Sequence, residues 1–177
     1  MTGADDARRR AFAPVVDDRV RVLILGSLPG DASLKAAQYY AHPQNGFWRL
    51  TGAVIGQELA PLPYEMRLQR LLVAGIGLWD VIASAQRRGS LDAAIRNPEG
   101  ADLAALIERL PRLRAVAFNG ATAARLGRRA LGERSAPALI DLPSSSPAHA
   151  RPLEEKLARW AMIAPYLAGT APSRGAP

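Results

Sequence analysis

Val20-Arg21-Val22-Leu23-Ile24-Leu25-Gly26-Ser27-Leu28-Pro29-Gly30 decides the fold. Branched apolar residues that stop at a glycine read as a strand buried on both faces, the kind found in parallel sheets. Three later runs repeat the pattern at residues 75–79, 114–118 and 138–142. Between them lie stretches of helical period. Helices are predicted over 34–40 with Ser33 as N-cap, 46–54, 64–74, 102–110 with Asp102 near its start, 120–131 and 153–167, with a short helical turn over 90–95. Strands alternating with helices predict an α/β fold, a three-layer α/β/α stack around a central, mainly parallel four-stranded sheet. Right-handed crossovers bring the C-terminal ends of the strands to one edge. That edge carries 26–30, 79–80, 119–120 and 143–147, and open sheets place their ligand crevices there.

With 177 residues, the chain is read as one domain over 20–168, a loose polar arm over 1–19 and a disordered Pro/Gly/Ala-rich tail over 169–177. The absence of cysteine excludes disulfides, thiol catalysis and Cys-based zinc sites. His42 and His149 are too few for a His-rich metal centre, so no metal is expected. No apolar stretch is long enough to span a membrane, and residues 1–10 lack the apolar run of a secretory signal, so a cytoplasmic location is expected. The net charge of +7 comes almost wholly from arginine, since Lys35 and Lys156 are the only lysines. This favours a polyanionic partner, although an Arg- and Ala-rich composition also follows from a GC-rich genome.

Two loops carry the chemistry. Gly26-Ser27-Leu28-Pro29-Gly30 lacks the lysine and the glycine spacing of a phosphate loop; it is either a tight strand-to-helix turn or a cradle of backbone N–H groups. Ser144-Ser145-Ser146-Pro147-Ala148-His149 offers three hydroxyls to phosphate oxygens and a short segment able to enter a gap between bases; as a plain serine turn it would cap the last helix. Of the neighbours Tyr39 and Tyr40, one belongs to the core and the other can lie over a pocket, where a flat base stacks at about 1–3 kcal/mol. Asn45, in His42-Pro43-Gln44-Asn45-Gly46-Phe47-Trp48, either caps the next helix or holds a water with its carbonyl while its amide donates elsewhere. Asp80 and Asn119 carry the same choice between capping and site roles, with capping favoured for Asn119.

Taken together, these strings resemble the uracil-DNA glycosylase superfamily over residues 20–167. Gly26–Gly30 is similar to its first motif. His42-Pro43, Asn45 and Phe47-Trp48 are similar to the stretch that follows in the mismatch-specific uracil/thymine enzymes, and 142–146 to their second motif. Those enzymes carry a water-orienting Asn just before the proline of the first motif; Leu28 stands there in this chain. That departure, with Tyr39-Tyr40, Leu78-Trp79-Asp80-Val81 and the serine string, resembles the hypoxanthine-DNA glycosylase branch. The resemblance implies a monofunctional enzyme that extrudes a deaminated base, most readily hypoxanthine, from double-stranded DNA and hydrolyses its N-glycosidic bond, starting base excision repair. Asn45 would hold the attacking water, and Gly26, Ser27, Leu28, Tyr40 and Asp80 would bind the base. Ser144, Ser145, Ser146, Pro147 and His149 would contact DNA. No cofactor is implied, and a monomer acting at the nucleoid is expected. A uracil- or mismatch-specific enzyme of the same fold, or a catalytically inactive binder of damaged DNA, are the alternatives.

Overall fold

The computed structural model describes residues 8–169. Its strands, in chain order, are β1 (Arg8–Arg10), β2 (Val22–Gly26), β3 (Ile76–Asp80), β4 (Ile82–Gln86), β5 (Arg96–Gly100), β6 (Ala115–Asn119) and β7 (Ala138–Leu142). Its helices are α1 (Asp31–Ala36), α2 (Phe47–Ile55), α3 (Tyr64–Ala74), α4 (Leu103–Glu108), α5 (Ala121–Leu131), α6 (Leu153–Trp160) and α7 (Ala164–Leu167). Strands β3, β2, β6 and β7 lie side by side in that order, all parallel. This is the expected central sheet.

The period-2 alternation of each strand feeds two cores. Val22 and Ile24, with Ile76, Leu78, Ala115 and Ala117, pack on one face against Phe47, Trp48, Leu50, Leu71 and Trp160. Leu23 and Leu25, with Val116 and Phe118, pack on the other against Leu103, Leu106, Ala123 and Leu131. Every residue of Val22–Gly26 is buried, which is why the run is continuously apolar. A register slip of one residue would exchange the two faces, so the pattern fixes the pairing.

A second, three-stranded antiparallel sheet, ordered β1-β4-β5, was not legible. β5 reads Arg96-Asn97-Pro98-Glu99-Gly100 and is exposed throughout, so it carries no alternation, and Pro98 argues against a strand. The loose arm is also corrected. Within 1–19, residues 1–7 lie outside the described residues, but Arg8–Arg10 pair with β4 and Val15 bridges Leu78. Phe12 sits edge-on to Tyr39, and its carbonyl accepts from Trp79 Nε1 at 3.0 Å. These apolar anchors, set among charges, tie the segment down. At the other end, Gly169 of the expected tail accepts from Arg114, and 170–177 lie outside the described residues.

Smaller corrections have local causes. Ser33 is no cap: α1 starts at Asp31, and the buried Ser33 Oγ accepts from the Ala41 N–H at 3.1 Å. The final helix breaks into α6, a 3-10 turn over Ala161–Ile163, and α7, because Pro165 removes an N–H and its ring crowds the preceding turn. Asp102 does cap α4, accepting from the Ala105 N–H.

Candidate active site

The C-terminal ends of the parallel strands open into a cavity of about 460 Å³ lined by 26–30, Tyr39, Tyr40, His42, Asn45, Asp80, 90–92, 119–122 and 144–149. That volume suits a small organic ligand. Every expected site residue lines this one cleft.

Each wall is held in place from behind. The first loop leaves β2 with its Gly26 and Ser27 carbonyls accepting from Val81 and Ile82. Arg87, buried at 2% exposure, clamps the loop: its guanidinium donates to the carbonyls of Leu28, Pro29 and Gly89. Ser27 Oγ donates to Asp92 at 2.7 Å, and Ser90 Oγ accepts from the Asp31 N–H at 2.9 Å. Leu28 requires a correction. Its side chain is 6% exposed and belongs to the apolar core with Phe118 and Leu103, so what it offers the cleft is backbone.

Tyr39 and Tyr40 divide as their adjacency demanded. Tyr39 is buried and its hydroxyl donates to the Ala13 carbonyl. Tyr40, at φ +52°, turns into the cleft; one face of its ring stacks on Phe47 at 3.8 Å and 11°. The Trp48 indole donates to the Tyr40 carbonyl and steadies that strained backbone.

Asn45 is not the N-cap of α2, which is Gly46, but its side chain bonds the start of that helix. Its Oδ1 accepts from the Phe47 N–H at 3.0 Å at the start of α2, which fixes which end of the amide is oxygen. A carbonyl oxygen has a second lone pair, and Nδ2 keeps two N–H donors. Asn45 lines the cleft, and the next residue ties its segment to the serine loop: the Gly46 N–H donates to the Ser145 carbonyl at 2.9 Å.

The serine loop differs in part from its expected form. Ser145 is 2% exposed. Asn119 grips it twice, Nδ2 donating to Ser145 Oγ at 2.9 Å and Oδ1 accepting from the Ser145 N–H at 2.8 Å. Ser145 therefore shapes the loop and is not presented to a phosphate. Asn119 makes no side-chain cap on α5, which corrects the capping role. Ser144 and Ser146 each accept from a backbone N–H two residues on and keep a hydroxyl proton to donate. From beneath, the buried Lys156 donates to the Ser146 carbonyl, and Trp160 Nε1 to that of Pro143 at 2.9 Å. Gly120, at φ +101°, lets the loop pass; a Cβ there would lie 3.1 Å from that of Ser144. His149 lines the cleft with Nε2 buried and unpartnered.

Asp80 ends a strand and caps nothing. It is 3% exposed, and burial, with the charge of Asp92 in support and that of Arg87 opposing, lifts its carboxyl to about 7. Burial and the charge of Asp80 likewise raise the Tyr40 hydroxyl far above its ordinary value.

Arg87, Ser90 and Asp92 escaped the sequence reading, because the β4–β5 segment has no apolar rhythm to place it. Among the described residues no group of three or more His, Asp or Glu could hold a metal, and no helix is long and apolar enough to cross a membrane.

Comparison with known proteins places this geometry. The profile of the uracil DNA glycosylase superfamily matches residues 13–168. A hypoxanthine DNA glycosylase from Methanosarcina barkeri is 40% identical over 156 residues, covering 87% of this chain and 96% of the relative. A protein of the same name from Methanosarcina acetivorans is 40% identical over 157 residues, covering 88% and 97%. A solution NMR structure of a proposed uracil DNA glycosylase from Methanosarcina acetivorans superposes with a TM-score of 0.79 at 39% identity, covering 91% of this chain and 99% of that one.

Proposed function

The chain belongs to the uracil DNA glycosylase superfamily and is a DNA N-glycosylase, and we propose that its substrate is hypoxanthine, the deamination product of adenine, in double-stranded DNA. One observation carries the assignment to this cleft. Asn45, its oxygen oriented by the Phe47 N–H, stands in the same crevice as the first-motif loop and the serine loop, which its neighbour Gly46 ties to it.

The reaction begins with extrusion of the lesion at a cost of a few kcal/mol, least for a mispaired base such as hypoxanthine opposite thymine. The hydroxyls of Ser144 and Ser146 engage backbone phosphates while Pro147 and His149 enter the gap left in the stack. The extruded ring stacks on Tyr40, whose other face is braced by Phe47. Asp80 meets the polar edge of the base. As the base–sugar bond breaks, positive charge grows on the sugar and negative charge on the base; backbone N–H groups of the Gly26-Ser27-Leu28 turn stabilise the departing base. Asn45 Oδ1 accepts from a water and sets it below the anomeric carbon. An amide is a weak base, which suits a reaction in which the leaving group departs first.

Lys35 and Lys156 do not line the cleft, and the enzyme is read as monofunctional, leaving an abasic site. The reading extends to a monomer that acts on chromosomal DNA. The test is a panel of duplexes containing inosine, uracil, xanthine or a thymine–guanine mismatch, assayed side by side for abasic sites. Fastest cleavage of the inosine duplex supports the reading. Preference for uracil or mismatched thymine contradicts the choice of base, and no release from any lesion leaves a damage binder.

A further inference from the structure

Two polar atoms at the floor of the cleft have been taken out of water and given nothing in return. Asp80 Oδ2 and the Tyr40 hydroxyl are both buried and make no well-formed hydrogen bond, the hydroxyl having only the Asn119 side chain close by. A native fold satisfies nearly all such groups, since each one left unpaired costs about 1–3 kcal/mol. The carboxyl and the hydroxyl pack together against Gly26: a Cβ at that position would sit 2.7 Å from Asp80 Oδ1, the second carboxyl oxygen, and 2.9 Å from Tyr40 Oη. Both residues line the cavity, so this part of its wall is a polar recess whose two groups pack against a glycine, where any side chain would displace them.

The groups facing Asp80 keep this recess available. Asp92 is engaged with Ser27, and its negative charge opposes ionisation of Asp80. Arg87, the nearby cation, spends its guanidinium donors on the carbonyls of Leu28, Pro29 and Gly89. Tyr40 and Tyr39 complete the surroundings, and neither bears charge near neutral pH. A purine seated in this cavity would carry a lone pair on N7, an acceptor that a buried neutral carboxyl can serve.

Resting on the reading that hypoxanthine is excised here, we propose that Asp80, in its neutral acid form, is a catalytic residue that protonates the departing purine. Its proton passes to N7 as the C1′–N9 bond breaks and the bonding pair stays with the base, which leaves as neutral hypoxanthine. The water at Asn45 contributes hydroxyl to C1′ and releases its other proton to solvent. Asp80, left as carboxylate, regains a proton from solvent once the base has gone. The position of its titration near 7 means that much of Asp80 carries the needed proton at neutral pH. General acids of this kind contribute about 100- to 10,000-fold in rate.

The test is single-turnover base release from an inosine duplex between pH 5.5 and 8.5. The wild-type rate should be flat at the acid end and fall about tenfold per pH unit above the titration of Asp80. Asp80→Asn should bind the duplex within a few-fold of wild type, lose about 100-fold or more of the rate, and abolish the alkaline fall. A merely structural carboxyl would not move that profile. The wild-type enzyme should also fail to release the base from 7-deaza-2′-deoxyinosine, which has no N7, a measurement that needs no variant to fold. A wild-type rate unchanged to pH 8.5, an Asp80→Asn rate within threefold of wild type, or release of 7-deazahypoxanthine at the inosine rate overturns the proposal. Absence of release from inosine at every pH overturns the underlying reading instead, so the two failures are told apart.

Discussion

At the scale of single residues, Asp80 sets function against stability. Its carboxyl titrates near 7 in the fold, well above the unfolded value, so the folded state binds the extra proton between the two. Stability from this group is then fully present below the unfolded value and is lost as pH rises toward 7. Replacing the carboxyl by an amide removes the cost of burying a charge. Asp80→Asn should stabilise the fold by about 1–3 kcal/mol at pH 8 and by little at pH 4, read from denaturant titrations at the two values. A stabilisation equal at both values would argue against burial of the charge. Ser145 tests the opposite logic: Ser145→Ala leaves Asn119 Nδ2 without its acceptor, and about 1–2 kcal/mol of stability should be lost in the same titration, with duplex affinity nearly unchanged. That Asn45, Tyr40 and Asp80 would share one cleft was legible because their strings are short and distinctive. Leu28 and Ser145 were misjudged because a motif names a position and does not say which way its side chain faces. Here both face inward.

At the scale of elements, β2, β3 and β6 were readable because two-sided burial writes near-continuous apolar runs into the sequence, the half-buried edge strand β7 keeps a mostly apolar run, and most helices show their period. The antiparallel β4–β5 hairpin was not, since its exposed outer strand is specified by pairing with β4 and by no periodic signal of its own. That hairpin nonetheless delivers Arg87. Arg87→Met should leave the carbonyls of Leu28, Pro29 and Gly89 without their donor and lower the melting temperature by about 5–10 °C, the equivalent of about 2–4 kcal/mol. Because the guanidinium also holds the Asp80 titration down, its loss should move the alkaline limb of the rate profile to higher pH. A melt and a profile both unchanged would remove Arg87 from the architecture of the site.

At the scale of the whole molecule, one parallel sheet gathers segments from residue 26 to residue 149 onto a single edge, and the rest of the chain braces them. The segment before β2 belongs to that bracing: Phe12→Ala removes its edge contact with Tyr39 and should cost about 2–4 kcal/mol in a thermal melt, where a free arm would cost nothing. The gathering is also what makes Asn45 a candidate for chemistry at all, since it sets that residue in one crevice with the first loop and the serine loop. The most direct measurement is single-turnover release of free hypoxanthine from an inosine–thymine duplex by wild-type protein and by Asn45→Ala. Wild type should release the base and leave an abasic site, and the variant should bind the same duplex within a few-fold yet release it at least about 100 times more slowly. An Asn45→Ala protein that frees hypoxanthine at the full rate would contradict the placing of the water on that amide.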